Sequence, residues 1–278
     1  MKNILIGVDI GTSCTKAAIT DKDGKILGQA SQKYSLLVKQ SGWAEQDPKD
    51  WEEAVYFTIN QAVKTAGISG EQVAGICISG LFAGSGVLVD NKGNPLGNAI
   101  IWMDRRAVEE SHETEHIIPS HKLFEISGNR NDPYFGFNKI LWIKKHRPGQ
   151  WQNIRWLLSS NGYIVYCLTG NITMDCTSAS NIGGIYDQRT GRWSKEVMEK
   201  LGIPESLFPE KLMKPEETAG FLTKEAAKKT GLKQGIPVCA GCTDCLASVI
   251  ASGVVKENVQ TAVIGTSINW GIIHRNIP

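Results

Sequence analysis

Val238-Cys239-Ala240-Gly241-Cys242-Thr243-Asp244-Cys245 is the stretch that decides the fold. The apolar run 236–240 predicts a short buried strand, and Gly241 permits a sharp turn after it. Residues 247–251 predict the start of a helix, which Thr243 or Asp244 can cap. The pattern places Asp244 at the exit of a strand, where open α/β sheets bind their ligands. An N-cap aspartate without chemistry is the alternative interpretation.

Length, composition and charge are those of a soluble globular protein. The chain has 278 residues, of which 41% are hydrophobic and 21% charged, enough for one large domain or two small ones. A net charge of +2 gives no reason to expect a nucleic-acid or anionic-membrane partner. No run approaches the roughly 20 apolar residues of a membrane span, and the N-terminal apolar stretch is too short for a signal peptide.

The seven cysteines predict reduced thiols in a cytoplasmic protein. Their number is odd, and several lie in apolar runs, as Cys77 does. Cys239, Cys242 and Cys245 have the spacing of an iron–sulfur run, but the fourth cysteine and the proline after it are missing. Cys239 also belongs to the predicted strand, where it acts as a small apolar residue. We therefore do not expect a cluster.

The N-terminal segment predicts an antiparallel meander. Apolar residues 4–8 and 17–20 predict the first two strands, and residues 25–34 predict a third after turn residues 21–24. The first turn holds Gly11-Thr12-Ser13. Backbone N–H groups in such a turn can point together at an anion.

Two charged side chains flank this turn. Asp9 can hold a magnesium ion, usually through water, and Lys16 can reach the same phosphates. A plain hairpin with Gly11 at a positive φ is the alternative, and the turn is not the Walker loop, which needs G-x4-G-K-[ST] before a helix. A second glycine–hydroxyl turn follows at Gly265-Thr266-Ser267.

The middle of the chain predicts covering helices and a polar strand end. Asp47 as N-cap, Pro48 at the first helical position and Gly67 as stop predict one helix. Asp104, followed by two arginines, can bind sugar hydroxyls or form a solvated cap and ion pair, and the residues alone leave both open. Residues 175–184, rich in Ser, Thr, Asn and Gly, predict a loop.

Six short motifs together resemble the FGGY carbohydrate kinases, above all xylulokinases and gluconokinases. In chain order they are Asp9-Ile10-Gly11-Thr12-Ser13, Ile101-Trp102-Met103-Asp104-Arg105-Arg106, Leu168-Thr169-Gly170, Thr190-Gly191-Arg192-Trp193-Ser194, Ala240-Gly241-Cys242-Thr243-Asp244 and Gly265-Thr266-Ser267. The resemblance runs from residue 4 to about residue 270, which is nearly the whole chain.

The resemblance implies an α/β fold. It is the ribonuclease H-like fold of the actin, hexokinase and Hsp70 superfamily, with a mixed five-stranded sheet flanked by helices. Residues 1–254 are expected to be the N-terminal, sugar-binding domain, and residues 255–278 the first strands of a truncated C-terminal, nucleotide-binding domain. In the family, phosphate loops from both domains grip ATP while the sugar binds mainly to the first domain.

The resemblance also implies roles for individual residues in an ATP- and Mg²⁺-dependent transfer to a sugar hydroxyl. Asp244 is expected to be the general base, and Asp9 to help hold magnesium. The remaining expected roles are the first phosphate loop at Gly11, Thr12, Ser13 and Lys16, the second phosphate loop at Gly265, Thr266 and Ser267, substrate contacts at Asp104 and Tyr134, and a pocket wall at Phe82.

Three positions bear on the substrate. Xylulokinases usually carry Gln-Met-His at the sugar, where this chain has Leu81-Phe82-Ala83, so hydrogen-bond partners for xylulose are replaced by apolar groups. The position after the expected base is often polar and is Cys245 here. Asp132-Pro133-Tyr134-Phe135 is similar to glycerol kinases, whose tyrosine contacts the polyol. The substrate class thus stays open among ketopentoses, aldonates and polyols.

A second class of function remains open beside the kinase. The family's second domain, with its adenosine pocket, is not in this sequence, so a non-catalytic sugar-sensing or partner-binding domain is the alternative. An actin-like or Hsp70-like ATPase half does not account for the Trp-x-Asp-x-Arg stretch. Apolar surface that a second domain would cover invites association, and a homodimer is the assembly considered.

Overall fold

A computed structural model describes residues 3–82, 84–264 and 268–274. The strands are β1 (Ile4–Ile10), β2 (Cys14–Asp21), β3 (Ile26–Lys33), β4 (Glu45–Gln46), β5 (Val73–Gly80), β6 (Val87–Val89), β7 (Ala99–Ile100), β8 (Trp156–Leu158), β9 (Met174–Asp175), β10 (Tyr186–Asp187), β11 (Arg192–Trp193), β12 (Leu212–Met213), β13 (Thr218–Phe221), β14 (Pro237–Cys239), β15 (Cys242–Thr243), β16 (Gln260–Ile264) and β17 (Ile268–Ile272). The α-helices are α1 (Pro48–Ala66), α2 (Val108–Ile117), α3 (Ser120–Ser127), α4 (Gly136–His146), α5 (Pro148–Trp151), α6 (Ser160–Thr169), α7 (Cys176–Asn181), α8 (Lys195–Leu201), α9 (Lys224–Thr230) and α10 (Asp244–Ala251), and short 3-10 turns cover Gly70–Gln72 and Glu205–Leu207.

A mixed seven-stranded sheet forms the centre of the fold, in the order β13-β14-β5-β1-β2-β3 with β15 also on β5. The first three strands make the predicted antiparallel meander, and β5 joins β1 in parallel. The predicted α/β class and mixed sheet are confirmed. The sheet exceeds the expected five strands because β13 adds an antiparallel edge, and because the chain pairs with β5 twice, before and after Gly241.

Helix α1 covers one face of the meander, as its sequence predicts. Asp47 caps it by accepting a hydrogen bond from the Lys49 backbone N–H, and Gly67 ends it in the left-handed conformation at φ 62°. The buried side of the helix packs on β2 and β3. The approach is close, since a Cβ on Gly28 of β3 would lie 2.5 Å from the Ala62 carbonyl oxygen.

A second core cluster lies beside the sheet. It joins helices α3, α4 and α8 to the short strands, with Leu123, Phe137 and Ile140 at 0% exposure. The predicted loop at 175–184 is wrong in its first part. Residues Cys176–Asn181 form helix α7, because the Asp175 side chain accepts hydrogen bonds from two backbone N–H groups of its first turn.

The C-terminal strands β16 and β17 pair only with each other among the described residues and form a separate two-stranded sheet. The predicted second phosphate loop, Gly265-Thr266-Ser267, lies outside the described residues. Within the described part of the chain, every helix is too short or too polar to cross a bilayer.

Candidate active site

Four neighbouring strands bring polar side chains together. Asp9 at the end of β1 lies opposite Lys16 of β2 on one side and Ser79 of β5 on the other. Cys242, which begins β15, lies opposite Ser79 from the far side. The Ser79 hydroxyl donates a 2.8 Å hydrogen bond to Asp9 Oδ1. The register therefore aligns the first-strand carboxylate with the turn that leads to Asp244.

Asp244 is the first residue of α10 and does not cap it. The N-cap position belongs to Thr243, whose side chain makes no capping bond. Asp244 Oδ1 accepts a 2.7 Å hydrogen bond from the backbone N–H of Cys245. Burial, followed by the negative charge of Asp9, raises the pKa of Asp244 to about 6. The carboxylate thus has the protonation behaviour of a general base that works near neutral pH.

Gly241 gives the backbone the turn that delivers this carboxylate. Its φ is +79°, and a Cβ there would lie 2.0 Å from the carbonyl oxygen of Ile78. Both the conformation and the close approach to β5 require glycine, as the sequence predicts.

A buried network fixes both sides of the Gly241 turn. Asn161 Nδ2 donates to Asp175 Oδ2 at 2.9 Å and to the Ala240 carbonyl oxygen at 3.2 Å. The backbone N–H of Thr243 donates to Thr177 Oγ1 at 3.1 Å, and that hydroxyl donates to Asp175 Oδ1 at 2.5 Å. Sequence reasoning missed this network, although an aspartate followed by Thr and Ser is an N-cap signal that could have located its centre.

The first glycine–hydroxyl turn is tied to its surroundings by side chains. Gly11 does not have the positive φ of the plain-hairpin alternative, and its N–H donates to the Cys14 carbonyl oxygen at 3.1 Å. The Thr12 carbonyl oxygen accepts from Gln46 Nε2 at 2.7 Å, and Thr12 Oγ1 accepts from Trp102 Nε1 at 3.0 Å. The loop is thus held from two other segments of the chain.

An open groove of about 760 Å³ runs along the sheet across β1, β2, β3 and β5, and Ala247 of α10 lines it as well. Asp9, Lys16, Ser79 and Cys242 line its polar end. Both Lys16 and Ser13 of the loop are exposed, so their polar groups are accessible to a ligand.

Tyr134 and Trp102 form an aromatic wall. Their rings are 6.3 Å apart in an edge-to-face arrangement, and the Arg105 guanidinium lies 5.5 Å from the Tyr134 ring centre. Burial raises the pKa of Tyr134, with further contributions from the charges of Cys245 and Asp244. Tyr134 therefore lies within reach of the charge of Asp244, and its role as a substrate contact stays a prediction.

Asp104 does not face this site, which corrects its predicted role as a substrate contact. Its side chain is fully buried. It accepts hydrogen bonds from the Ala44 backbone N–H at 2.6 Å and from Arg106 Nη2 at 2.7 Å. Arg106 is buried as well and stacks 3.7 Å from the Trp43 ring centre. Of the two interpretations left open, the ion pair is right, but it is buried rather than solvated.

Phe82 is only 6% exposed and belongs to the second core cluster. Its role as a pocket wall stays a prediction. The neighbouring Ala83 lies outside the described residues.

All seven cysteines are free. Among the residues that the structure describes, the only converging set of potential metal ligands is Glu109, Glu110 and His146. The three cysteines of the C-x2-C-x2-C run are not part of such a set.

Comparison with known proteins finds sugar kinases among the relatives of this chain. The chain is 31% identical to the xylulose kinase of Staphylococcus epidermidis over 269 residues, which is 96% of this chain and 52% of that protein. It is also 31% identical to the L-xylulose/3-keto-L-gulonate kinase of Escherichia coli, over 98% of this chain and 54% of that protein. The chain thus spans about half the length of the curated relatives that it matches.

A solved structure and a family model point the same way. The crystal structure of xylulose kinase from Rhodospirillum rubrum superposes with a TM-score of 0.90 at 29% identity, over 96% of this chain and 54% of that one. The model of the N-terminal domain of the FGGY family of carbohydrate kinases matches residues 4–251. This chain therefore belongs to the FGGY family of carbohydrate kinases.

Proposed function

We propose that this chain is the sugar-binding part of a kinase that transfers the γ-phosphoryl group of ATP to a hydroxyl of a ketopentose, aldonate or polyol. Residues 1–254 would form the sugar-binding domain, and residues 255–278 would begin the nucleotide-binding one. The observation that carries the proposal is Asp244, a largely buried carboxylate with a raised pKa whose charge interacts with both Asp9 and Tyr134.

Asp244 is the residue proposed to accept the hydroxyl proton. A pKa of about 6 keeps the carboxylate mostly ionised at pH 7 while making it more basic than an ordinary aspartate. Its bond to the Cys245 N–H uses Oδ1 and fixes the carboxylate plane. General-base help of this kind is worth on the order of 10²–10⁴ in rate.

The first loop is proposed to bind phosphate. The backbone N–H groups of Thr12 and Ser13 and the Lys16 ammonium would neutralise phosphoryl charge, which dominates catalysis in a loose transition state. Because Thr12 Oγ1 accepts its hydrogen bond from Trp102, its own proton remains available to donate to a phosphate oxygen. Gly265-Thr266-Ser267 is proposed as the matching loop of the second domain.

The Asp9 site suits magnesium by its donor chemistry. The carboxylate and the neighbouring Ser79 hydroxyl offer hard oxygen ligands, which Mg²⁺ prefers. When bound, the ion would supply positive charge to the transferring phosphoryl group.

The aromatic wall is proposed to orient the sugar. The rings of Trp102 and Tyr134 offer apolar faces to the C–H groups of a sugar, while the Tyr134 hydroxyl can hydrogen-bond one of its oxygens. This placement sets one substrate hydroxyl next to Asp244.

Turnover tests the proposal. Formation of a sugar phosphate from ATP is followed by mass spectrometry for ketoses, polyols and aldonates, using the chain alone and the chain joined to the second domain of an FGGY relative. We expect product from one substrate class and none with Asp244→Ala. An inactive joined protein on every compound would contradict the kinase assignment.

A sugar-sensing domain is the second candidate, since Leu81 is buried and apolar where xylulokinases usually carry a glutamine. Sugar binding without turnover in the joined protein would favour it.

A further inference from the structure

Lys139 is a fully buried lysine behind the aromatic wall. It lies in the first half of α4 and has 0% exposure. Its Nζ donates to the carbonyl oxygens of Tyr134 at 2.7 Å, Ile101 at 3.0 Å and Trp102 at 3.1 Å. An ammonium group has three N–H donors, so it can bind carbonyl oxygens from several segments at once.

These carbonyls belong to two segments that are far apart in sequence. Residues 101–102 follow β7, and Tyr134 precedes α4. On the more exposed side the same two segments are joined by the ion pair between Arg105 and Asp132 at 2.5 Å. The buried ammonium and the exposed ion pair thus hold the same two segments together.

We propose that Lys139 is a positioning residue for the sugar substrate, because its ammonium holds the Trp102 and Tyr134 segments together as one wall. The inference rests on the proposed function, since the wall is the predicted sugar contact. Lys139 itself is buried behind the wall and is not proposed to touch the sugar.

The charges around Lys139 make the contact depend on pH. Burial lowers the pKa of Lys139 to about 7; nearby Asp104 and Asp132 favour the ammonium, while Arg105 and Arg106 oppose it. The neutral amine has two donors for three carbonyls. The hydrogen bonds that hold the two segments together should therefore be strongest below pH 7. They should weaken as the ammonium loses its proton between pH 7 and pH 9.

Hydrogen exchange tests the fastening without any ligand. Lys139→Met removes the ammonium and keeps an unbranched side chain of similar length. Lys144→Met is the matched control, because Lys144 lies on the same helix and donates at 2.6 Å to the carbonyl oxygen of Gly202, remote from the wall. We expect amide exchange in 101–106 and 132–136 to rise about tenfold in Lys139→Met and to stay unchanged in Lys144→Met.

Sugar binding tests the positioning role. For the compound that binds the wild-type chain, we expect Lys139→Met to raise the dissociation constant about tenfold or more. We expect Lys144→Met to leave it within twofold of the wild-type value. The wild-type affinity should fall between pH 7 and pH 9, whereas that of Lys139→Met should be flat over the same range. A lysine that served only global stability would lower the melting temperature without producing this difference in pH profile.

The outcomes separate the two proposals. Unchanged exchange in both segments of Lys139→Met, or parallel pH profiles, would overturn the role of Lys139. If Lys139→Met does not fold, the pH dependence of sugar affinity is compared between the wild type and Lys144→Met. A wild-type affinity that stays flat between pH 7 and pH 9 would overturn the role of Lys139. If no sugar binds the wild type, the proposed function fails, and increased exchange of the two segments would still show the fastening.

Discussion

Replacing Asp244 with asparagine should stabilise the fold while removing the proposed base. A pKa raised from 3.8 to about 6 corresponds to about 3 kcal/mol of unfavourable free energy for the ionised carboxylate in the folded chain. The cost is fully present above pH 6, where folded and unfolded chains are both ionised. It vanishes below pH 3.8, where both are protonated.

Asparagine removes this charge and keeps an oxygen for the Cys245 N–H. Urea unfolding at pH 7 should therefore show Asp244→Asn to be more stable than the wild type by about 1–3 kcal/mol, the lower bound allowing for relaxation around the charge. At pH 4 the gain should shrink below about 1 kcal/mol. Proton acceptance at this position would be lost at both pH values.

Asp90→Asn is the matched control. Hydrogen bonds from the backbone and side chain of Asn94 lower the pKa of Asp90, so the same substitution there should not stabilise the fold at pH 7. If Asp244→Asn were less stable than the wild type at pH 7, or gained equally at pH 4 and pH 7, the claim that the ionised carboxylate destabilises the folded chain would be refuted.

Three further substitutions test the supports of the site by urea unfolding. Asp104→Ala leaves the buried guanidinium of Arg106 without its nearest carboxylate and should cost about 3 kcal/mol; a loss below about 1 kcal/mol would contradict the buried ion pair. Gly241→Ala should cost about 2–5 kcal/mol, because its Cβ would meet the Ile78 carbonyl at a positive φ, and wild-type stability would show that the turn is misdescribed. Asp175→Asn should cost about 1–3 kcal/mol through its lost charge-assisted bonds, and a neutral effect would show that the network carries no load.

Local chemistry made several elements predictable from sequence. The cap at Asp47 and the stop at Gly67 need only their neighbours in the chain, and they appear as predicted. The turn at Gly241 was likewise predictable, because an apolar strand run followed by glycine indicates a sharp turn without reference to distant residues. The catalytic candidate followed because a strand end and a carboxylate are both visible in eight residues.

Asp104 shows what sequence alone does not contain. A carboxylate before two arginines at a strand end suits both a ligand site and an ion pair. The choice is made by Ala44 and Trp43, about 60 positions away, which bind and cover the pair. Tertiary packing decides whether such a side chain is open to a ligand or buried in an ion pair. The sequence alone therefore could not distinguish a substrate contact at Asp104 from a buried ion pair.

Lys139 and Asp175 illustrate the same limit for buried polar groups. In sequence Lys139 is one more cation of an amphipathic helix, and Asp175 begins a polar stretch. In the fold each gathers partners from distant segments, and each supports a part of the site that sequence motifs had marked. Patterns locate the residues of a site more readily than the residues that hold them.

Sugar binding to this chain tests the central claim most directly. Calorimetric titration with ketoses, polyols and aldonates, without nucleotide, should show one class that binds. That binding should be lost in Tyr134→Ala and weakened in Asp244→Ala, while Lys144→Met binds like the wild type. Absence of binding by every compound, or equal binding by all four proteins, would contradict a sugar site at Asp244 and Tyr134.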